Sequence, residues 1–190
     1  MLKQVIDVME LLDDAQITGE KVAAVLKEHG LTDITIKEIK GVEGSTDFIK
    51  IRIPGKNGKT SGGKAPTLGV IGRLGGIGAR PDQIGLVSDS DGASTALSVA
   101  MKLADMQRKG DQLQGDVIVA THICPDAPIK PHEPVPFMGS PVDTVTMNKH
   151  EVDPEMDALI SIDTTKGNRL ANWRGFAITP TVKEGWVLKV

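Results

Sequence analysis

Side chains that could carry out chemistry stand at the ends of several short apolar runs of this sequence. Carboxylates, imidazoles and thiolates are the groups that bind divalent metals such as zinc, activate water or attack an amide carbonyl. An arginine among them can pair with a structural carboxylate or clamp the carboxylate of a substrate. The candidate site residues are Arg73, Asp89, Asp91, His122, Cys124, Asp126, His132 and Asp163.

The stretch 85–106 joins a short apolar run to a helical pattern. Ser90 and Asp91 can accept hydrogen bonds from the N–H groups of the first helical turn, and Asp89 complements the positive end of the helix dipole. This polar cluster is therefore either a helix cap or, with an aspartate facing outward, part of a ligand site. The residues that recur at the spacing of one helix face are Ala93, Ala96, Leu97, Ala100, Leu103 and Ala104.

Two apolar runs of the buried-strand type, 68–71 and 116–121, flank this helix. The order strand, helix, strand predicts a parallel pair with a right-handed crossover. Because the carboxyl ends of parallel strands meet at one edge of a sheet, Arg73 and His122 are expected to emerge close together. A third apolar run, 158–163, ends in an aspartate and is predicted to be another buried strand.

The remaining patterns complete an α/β fold, which we expect to be a three-layer sandwich with a mixed, largely parallel sheet. A single domain is expected over 1–190, in which 1–66 form the opening helices and a hairpin and 67–190 form the sheet core that carries the site. Helices are predicted over 5–13, 18–30 and 142–150, an antiparallel hairpin over 34–39 and 46–53, and two further strands over 175–179 and 185–190.

Composition and charge argue against several function classes. Lys and Arg number 22 against 25 Asp and Glu, a net charge of -3, and no basic run or aromatic patch suits nucleic acid. Acidic residues come too early for a signal peptide and no apolar run is long enough to span a membrane, so we expect a cytoplasmic protein. The single cysteine, Cys124, excludes an internal disulfide. The loop 56–66, rich in Gly and Lys, could hold an anion but lacks Walker spacing.

The layout resembles that of the co-catalytic zinc aminopeptidases and their amidohydrolase relatives. The resemblance rests on Asp89 before an alanine-rich helix, a strand ending at Cys124 and a strand ending at Asp163. It implies that Asp89 is a bridging metal ligand and that Asp163 is a later acidic ligand. Arg73 stands where these enzymes have their first metal-binding histidine, and Cys124 with Pro125 stands where they have a pair of glutamates. Two remaining ligands are too few for two metal ions.

The sequence is also similar to an uncharacterised bacterial family of unknown function, DUF1177, over nearly the whole chain. Members of that family look longer than this chain, which implies a fragment, a processed half or one of two subunits, with a sheet incomplete at its C-terminus. We therefore expect a homo-oligomer or pairing with a C-terminal half or second chain. The segments that carry the similarity are 44–50, 72–81, 116–125, 131–143 and 163–169.

The first functional hypothesis is a hydrolase that acts on a small peptide-like or amide substrate. In a metal form, Asp89 and Asp163 bind a divalent ion such as zinc with His122 or Cys124, and the ion activates water. In a thiol form, Cys124 is the nucleophile and His122 or His132 is the base. Arg73 with glycine N–H groups stabilises the oxyanion or the substrate carboxylate.

Arg73, Asp91, Asp126 and His132 are the predicted substrate-binding residues of this hydrolase. The second hypothesis is a catalytically inactive protein of the same fold that binds a small ligand or a partner subunit. Under it, Cys124 is an inert buried thiol and His122 is a hydrogen-bonded residue at a strand end.

Overall fold

Among the described residues, the helices and the strands of the main sheet follow one another in the order that the hydrophobic pattern predicts, and two short strands after residue 128 were not predicted. The computed structural model describes residues 1–14, 16–73, 86, 90–124, 126–131, 133 and 137–163. The predicted strands over 175–179 and 185–190 lie outside these residues. The helices are α1 (Leu2–Leu12), α2 (Gly19–Glu28), α3 (Asp91–Arg108) and α4 (Thr144–Glu151), and the strands are β1 (Ile34–Gly41), β2 (Gly44–Ile53), β3 (Leu68–Gly72), β4 (Val117–Ile123), β5 (Ile129–Lys130), β6 (Phe137–Met138) and β7 (Ala158–Ile162).

Five strands form one mixed sheet in the order β1-β2-β4-β3-β7. The pairs β1–β2 and β2–β4 are antiparallel, whereas β3–β4 and β3–β7 are parallel. The α/β class, the mixed sheet and the predicted parallel pair are confirmed. The sheet is less parallel than predicted because the β1–β2 hairpin docks antiparallel on β4. In the segment 127–141, which contains five prolines, β5 and β6 form a separate antiparallel pair.

Helices cover both faces of the sheet. On one face, Ile49, Ile51 and Ile53 of β2 join the buried sides of α1, α2 and α3 in one apolar cluster. On the opposite face, Phe48 packs with Met147 of α4. Successive side chains of a strand point to opposite faces, which explains why neighbouring residues of β2 contact different helices. Among the described helices, none is both long enough and apolar enough to cross a membrane.

The N-terminus of α3 lies directly against the end of β3. A Cβ atom on Gly92 would lie 2.2 Å from the carbonyl oxygen of Arg73, and one on Gly72 would lie 2.1 Å from the carbonyl oxygen of Gly92. Only glycine permits such a backbone approach. Ser90 makes no side-chain cap hydrogen bond, because its backbone is helical, with φ −91 and ψ −5, rather than extended.

The glycine-rich loop between β2 and β3 binds a carboxylate of its own chain. Buried Asp116, just before β4, accepts hydrogen bonds from the N–H groups of Gly55 and Thr60, both at 2.8 Å, and from the Thr60 hydroxyl at 2.9 Å. Burial alone would raise the pKa of Asp116, but these hydrogen bonds hold it below its ordinary value. Thr60 belongs to the loop 56–66, for which an outside anion was one alternative, and its N–H group binds Asp116 instead.

Candidate functional site

The carboxyl ends of β3, β4 and β7 bring three of the predicted site residues to one edge of the sheet. Gly72 of β3 pairs with Thr121 of β4 and with Ile162 of β7. Arg73, His122 and Asp163 are the next residues along these strands, and adjacent strands lie about 4.8 Å apart. The structure thus places an arginine, a histidine and an aspartate side by side, as the strand order predicts; their roles stay predictions.

This edge contains a topological switch point between β3 and β4. The chain leaving β3 leads to α3 on one face of the sheet, whereas the chain leaving β4 leads to α4 on the other face. Connections that depart to opposite faces leave a crevice at the carboxyl ends of the two strands, where open α/β sheets place their ligands. Arg73 and His122 flank that position.

A buried carboxylate from α4 links the arginine to the histidine. Glu151, the last residue of α4, has no exposed side-chain surface. Its Oε2 accepts a hydrogen bond from Nε of Arg73 at 2.7 Å, and its Oε1 lies 2.7 Å from Nδ1 of His122. A carboxylate paired with a guanidinium acts only as an acceptor, so Nδ1 carries the hydrogen of this contact, and in the neutral form of the ring Nε2 is the nitrogen without a hydrogen.

Arg73 is engaged by α4 through a second contact. Its Nη2 donates a hydrogen bond to Oδ1 of Asn148, one turn before Glu151. Of the two alternatives that the sequence leaves open for this arginine, the pairing with a structural carboxylate is therefore the one present in the structure. Sequence analysis missed Glu151 and Asn148, because nothing in a single sequence distinguishes a buried glutamate from an exposed one, and the predicted helix ended at residue 150.

His122 is enclosed by side chains on this face of the sheet. Only 2% of its surface is exposed, and its ring lies 5.2 Å from that of Phe48, centroid to centroid. Phe48 also contacts His150, at 5.0 Å. Burial, followed by the charges of nearby lysines, lowers the pKa of His150. The imidazole at the switch point thus has an aromatic and a carboxylate neighbour.

Asp91 belongs to the same edge of the sheet. It is the first residue of α3, and a Cβ atom on the adjacent Gly92 would lie 2.2 Å from the carbonyl oxygen of Arg73 and 2.8 Å from that of Ile162. The positive end of the α3 dipole is therefore at the carboxyl ends of β3 and β7. The other two predicted site residues of this group, Asp89 and His132, lie outside the described residues.

Cys124 and Asp126 follow β4 and contact the start of β2, on the side of β4 away from β3. The Cys124 thiol donates a hydrogen bond to the carbonyl oxygen of Ser45 in β2 at 3.6 Å, and it packs in a small apolar cluster with Ala127. Burial raises the pKa of this thiol to about 11. Asp126 is exposed, with its carbonyl oxygen 3.6 Å from a Cβ atom built on Gly44 in the β1–β2 turn.

A sequence model of the family described as "Protein of unknown function (DUF1177)" matches residues 37–190. The chain belongs to the DUF1177 family. The matched residues include β3, β4, α4 and β7, and hence Arg73, Glu151 and His122 with the contacts that join them. The helices α1 and α2 lie before the match. No curated protein matches the sequence. The resemblance to zinc aminopeptidases stays a prediction.

Cys124 is expected to react slowly with alkylating agents in the folded protein. A thiol with a pKa of about 11 is almost fully protonated near neutral pH, and the thiolate is the reactive form. Iodoacetamide labelling at about pH 8 should be at least about a hundredfold slower in the native chain than in urea. The exposed control is Val42→Cys in a Cys124→Ala background, because Val42 is fully exposed. Equal labelling rates for Cys124 in both states would contradict the inert thiol and support the nucleophile.

A divalent metal at this edge needs three or four protein ligands. His122 fits such a role, because a carboxylate on Nδ1 is the usual support of a metal-binding imidazole. Asp163 follows β7, which is separated from β4 by β3. Cys124 contacts β2, where its thiol donates a hydrogen bond to the carbonyl oxygen of Ser45. A metal ion would deprotonate a thiol that it binds, so a ligand role for Cys124 stays a prediction. Within the part of the chain that the structure describes, no group of three or more His, Cys, Asp or Glu could hold a metal ion. Zinc therefore stays a prediction.

Proposed function

We propose that this chain is a diverged relative of the peptidases and amidohydrolases, and that it hydrolyses a small peptide-like or amide substrate at the carboxyl ends of β3, β4 and β7. The observation that carries the proposal is the hydrogen bond of Nδ1 of His122 to Glu151 at a topological switch point. A carboxylate in that position fixes the tautomer of an imidazole and stabilises its protonated form, as a general base requires.

In the proposed reaction, His122 transfers one proton. Its Nε2 takes a proton from water while the water oxygen forms a bond to the amide carbonyl carbon. The carbon–nitrogen bond then breaks, and the imidazolium returns the proton to the departing amine, which leaves a carboxylic acid and an amine. Glu151 stabilises the imidazolium between the two transfers, and the positive end of the α3 dipole favours the negative charge that develops on the carbonyl oxygen.

The burial of His122 sets a requirement on substrate binding. Because the ring is 2% exposed, the substrate reaches Nε2 only if part of its covering moves. α4 is the candidate for this movement, since Met147 is its one buried apolar side chain. Its other contacts are the ring contact of His150 with Phe48 and the polar contacts of Asn148 and Glu151. A segment with few buried apolar contacts opens locally at a lower free energy than the core does.

The test is an activity screen with a histidine variant and a matched control. Wild-type chain is incubated with amino-acid amides, dipeptides and N-acyl amino acids, and released amine or amino acid is quantified with and without added Zn²⁺ or Mn²⁺. His122→Asn should lower kcat/KM about 10²–10⁴-fold. His29→Asn, at the end of α2, should leave it unchanged. Equal activity of the wild type and His122→Asn would refute the role of His122.

A second candidate function is a catalytically inactive protein of this fold that binds a ligand or a partner subunit. The observation that favours it is the near-complete burial of His122 together with the protonated thiol of Cys124, because neither group is exposed to a substrate in the structure. Calorimetric binding of a screened compound without its hydrolysis would support this candidate over the hydrolase.

A further inference from the structure

The helix α1 carries two apolar faces, of which the described residues of the chain cover one. Gln4, Val8 and Leu12 are buried where α1 contacts α3. Leu2, Ile6 and Met9 recur at i, i+4 and i+7 and are 74%, 47% and 47% exposed. A surface helix normally presents polar residues on the side away from the core, so this second face needs another explanation.

We propose that the exposed face of α1 pairs with the same face of a second copy of this chain. In an antiparallel helix pair related by a two-fold axis near Ile6, Ile6 contacts its own copy, and Leu2 contacts Met9 of the second copy. The face is therefore complementary to itself in length and in the order of its side chains.

The charges beside this face support a second copy as the occupant. Lys3 and Glu10 lie along one edge of the exposed face, a quarter turn or less from Ile6 or Leu2. In an antiparallel pair the same edges of the two helices meet, with their residues in reverse order, so Lys3 of each copy faces Glu10 of the other. In the single chain, Lys3 pairs with Asp7 at 2.6 Å on the exposed surface, a contact of small energetic value that it can exchange.

An anionic membrane fits this face less well. Four carboxylates belong to or directly follow α1, at Asp7, Glu10, Asp13 and Asp14, against the single basic side chain Lys3. Helices that lie on anionic lipid carry mainly lysine and arginine on their polar side. Three apolar side chains bury less than the roughly 800 Å² per partner of a standard stable complex, so the dimer should depend on protein concentration.

Sedimentation velocity of the full chain across about a hundredfold range of concentration tests the proposal. The wild type should shift from monomer toward dimer. Ile6→Glu should raise the dissociation constant at least about a hundredfold, because it places two carboxylates at the centre of the contact. Val42→Glu is the matched control, since it adds the same charge at a fully exposed valine in the β1–β2 turn, and it should leave association unchanged.

Charge reversal separates the interface from a folding defect of Ile6→Glu. Lys3→Glu should raise the dissociation constant roughly tenfold by opposing Glu10 of the other copy in two symmetric places. The double variant Lys3→Glu with Glu10→Lys should restore it. Three results would overturn the proposal: a monomer at every concentration, a dimer that none of these variants weakens, or binding of the chain to lipid vesicles through α1 rather than to a second copy.

Discussion

Glu151→Ala should lower the free energy of unfolding by about 3–5 kcal/mol. The carboxylate is fully buried, and it lies 2.7 Å from both Nε of Arg73 and Nδ1 of His122. Its removal leaves a guanidinium with 17% of its side chain exposed and a buried imidazole without their common acceptor. Most of this loss arises because the guanidinium and the imidazole stay desolvated without a partner. The net stabilisation by the hydrogen bonds themselves is the smaller part. Urea denaturation followed by far-ultraviolet circular dichroism measures it.

The matched control for this prediction is Glu155→Ala. Glu155 also accepts a hydrogen bond from an arginine, at 2.6 Å from Nη1 of Arg52, but half of its side chain is exposed. An exposed ion pair contributes about 0–1 kcal/mol, so this variant should stay near the wild type. Replacing Arg73 and Glu151 together with methionine should cost less than the sum of the single changes. A Glu151→Ala protein as stable as Glu155→Ala would show that the buried contacts do not stabilise the fold.

Asp116→Asn should destabilise the protein by about 1.5–3 kcal/mol at neutral pH. The carboxylate accepts three hydrogen bonds, from the N–H group of Gly55 and from the N–H and hydroxyl groups of Thr60. An amide presents one acceptor oxygen and turns its NH₂ group toward donors, so at least one buried N–H group of the loop loses its partner. Asp157→Asn is the control, since Asp157 also accepts from a backbone N–H group, that of Thr67, but is about half exposed.

The difference in the free energy of unfolding between wild type and Asp116→Asn should depend on pH. The pKa of Asp116 is lowered in the folded chain: burial acts to raise it, and the hydrogen bonds from Gly55 and Thr60 outweigh burial. A lowered pKa contributes stability that is present above the unfolded value, about 3.9, and is lost as the pH falls through the folded value. The difference between wild type and Asp116→Asn should therefore be constant near neutrality and shrink below about pH 4. A difference that grows on acidification would contradict the lowered pKa.

Much of the fold can be predicted from the sequence because its signals are local. Thr18 accepts a hydrogen bond from the Lys21 N–H group at the start of α2, and Gly30 follows the helix with a φ of +93. The small residues of α3 indicate a helix close to the sheet, and the structure has it there. The position of β4 between β2 and β3 has no such signal, because it depends on which distant strands pack best together.

The candidate site could also be predicted only in part. That Arg73, His122 and Asp163 share one edge follows from strand order, since the carboxyl ends of parallel strands coincide. That Glu151 connects the first two does not follow, because glutamate is almost always exposed and nothing in a single sequence distinguishes a buried one. The raised pKa of Cys124 likewise cannot be predicted from the sequence, because it depends on the burial that distant segments provide.

The insertion of β4 between two earlier strands has a consequence for how the protein folds. The β1–β2 hairpin closes through contacts that are local in the chain, as do the turns of α1 and α2. The second edge of β2, in contrast, finds its partner only after β3 and α3 have been made. Closing such a long loop costs chain entropy before any contact repays it. The pairing of β4 with β2 is therefore the expected rate-limiting event. Until it occurs, the edge of β2 in a growing chain is unpaired, and other chains can assemble on it.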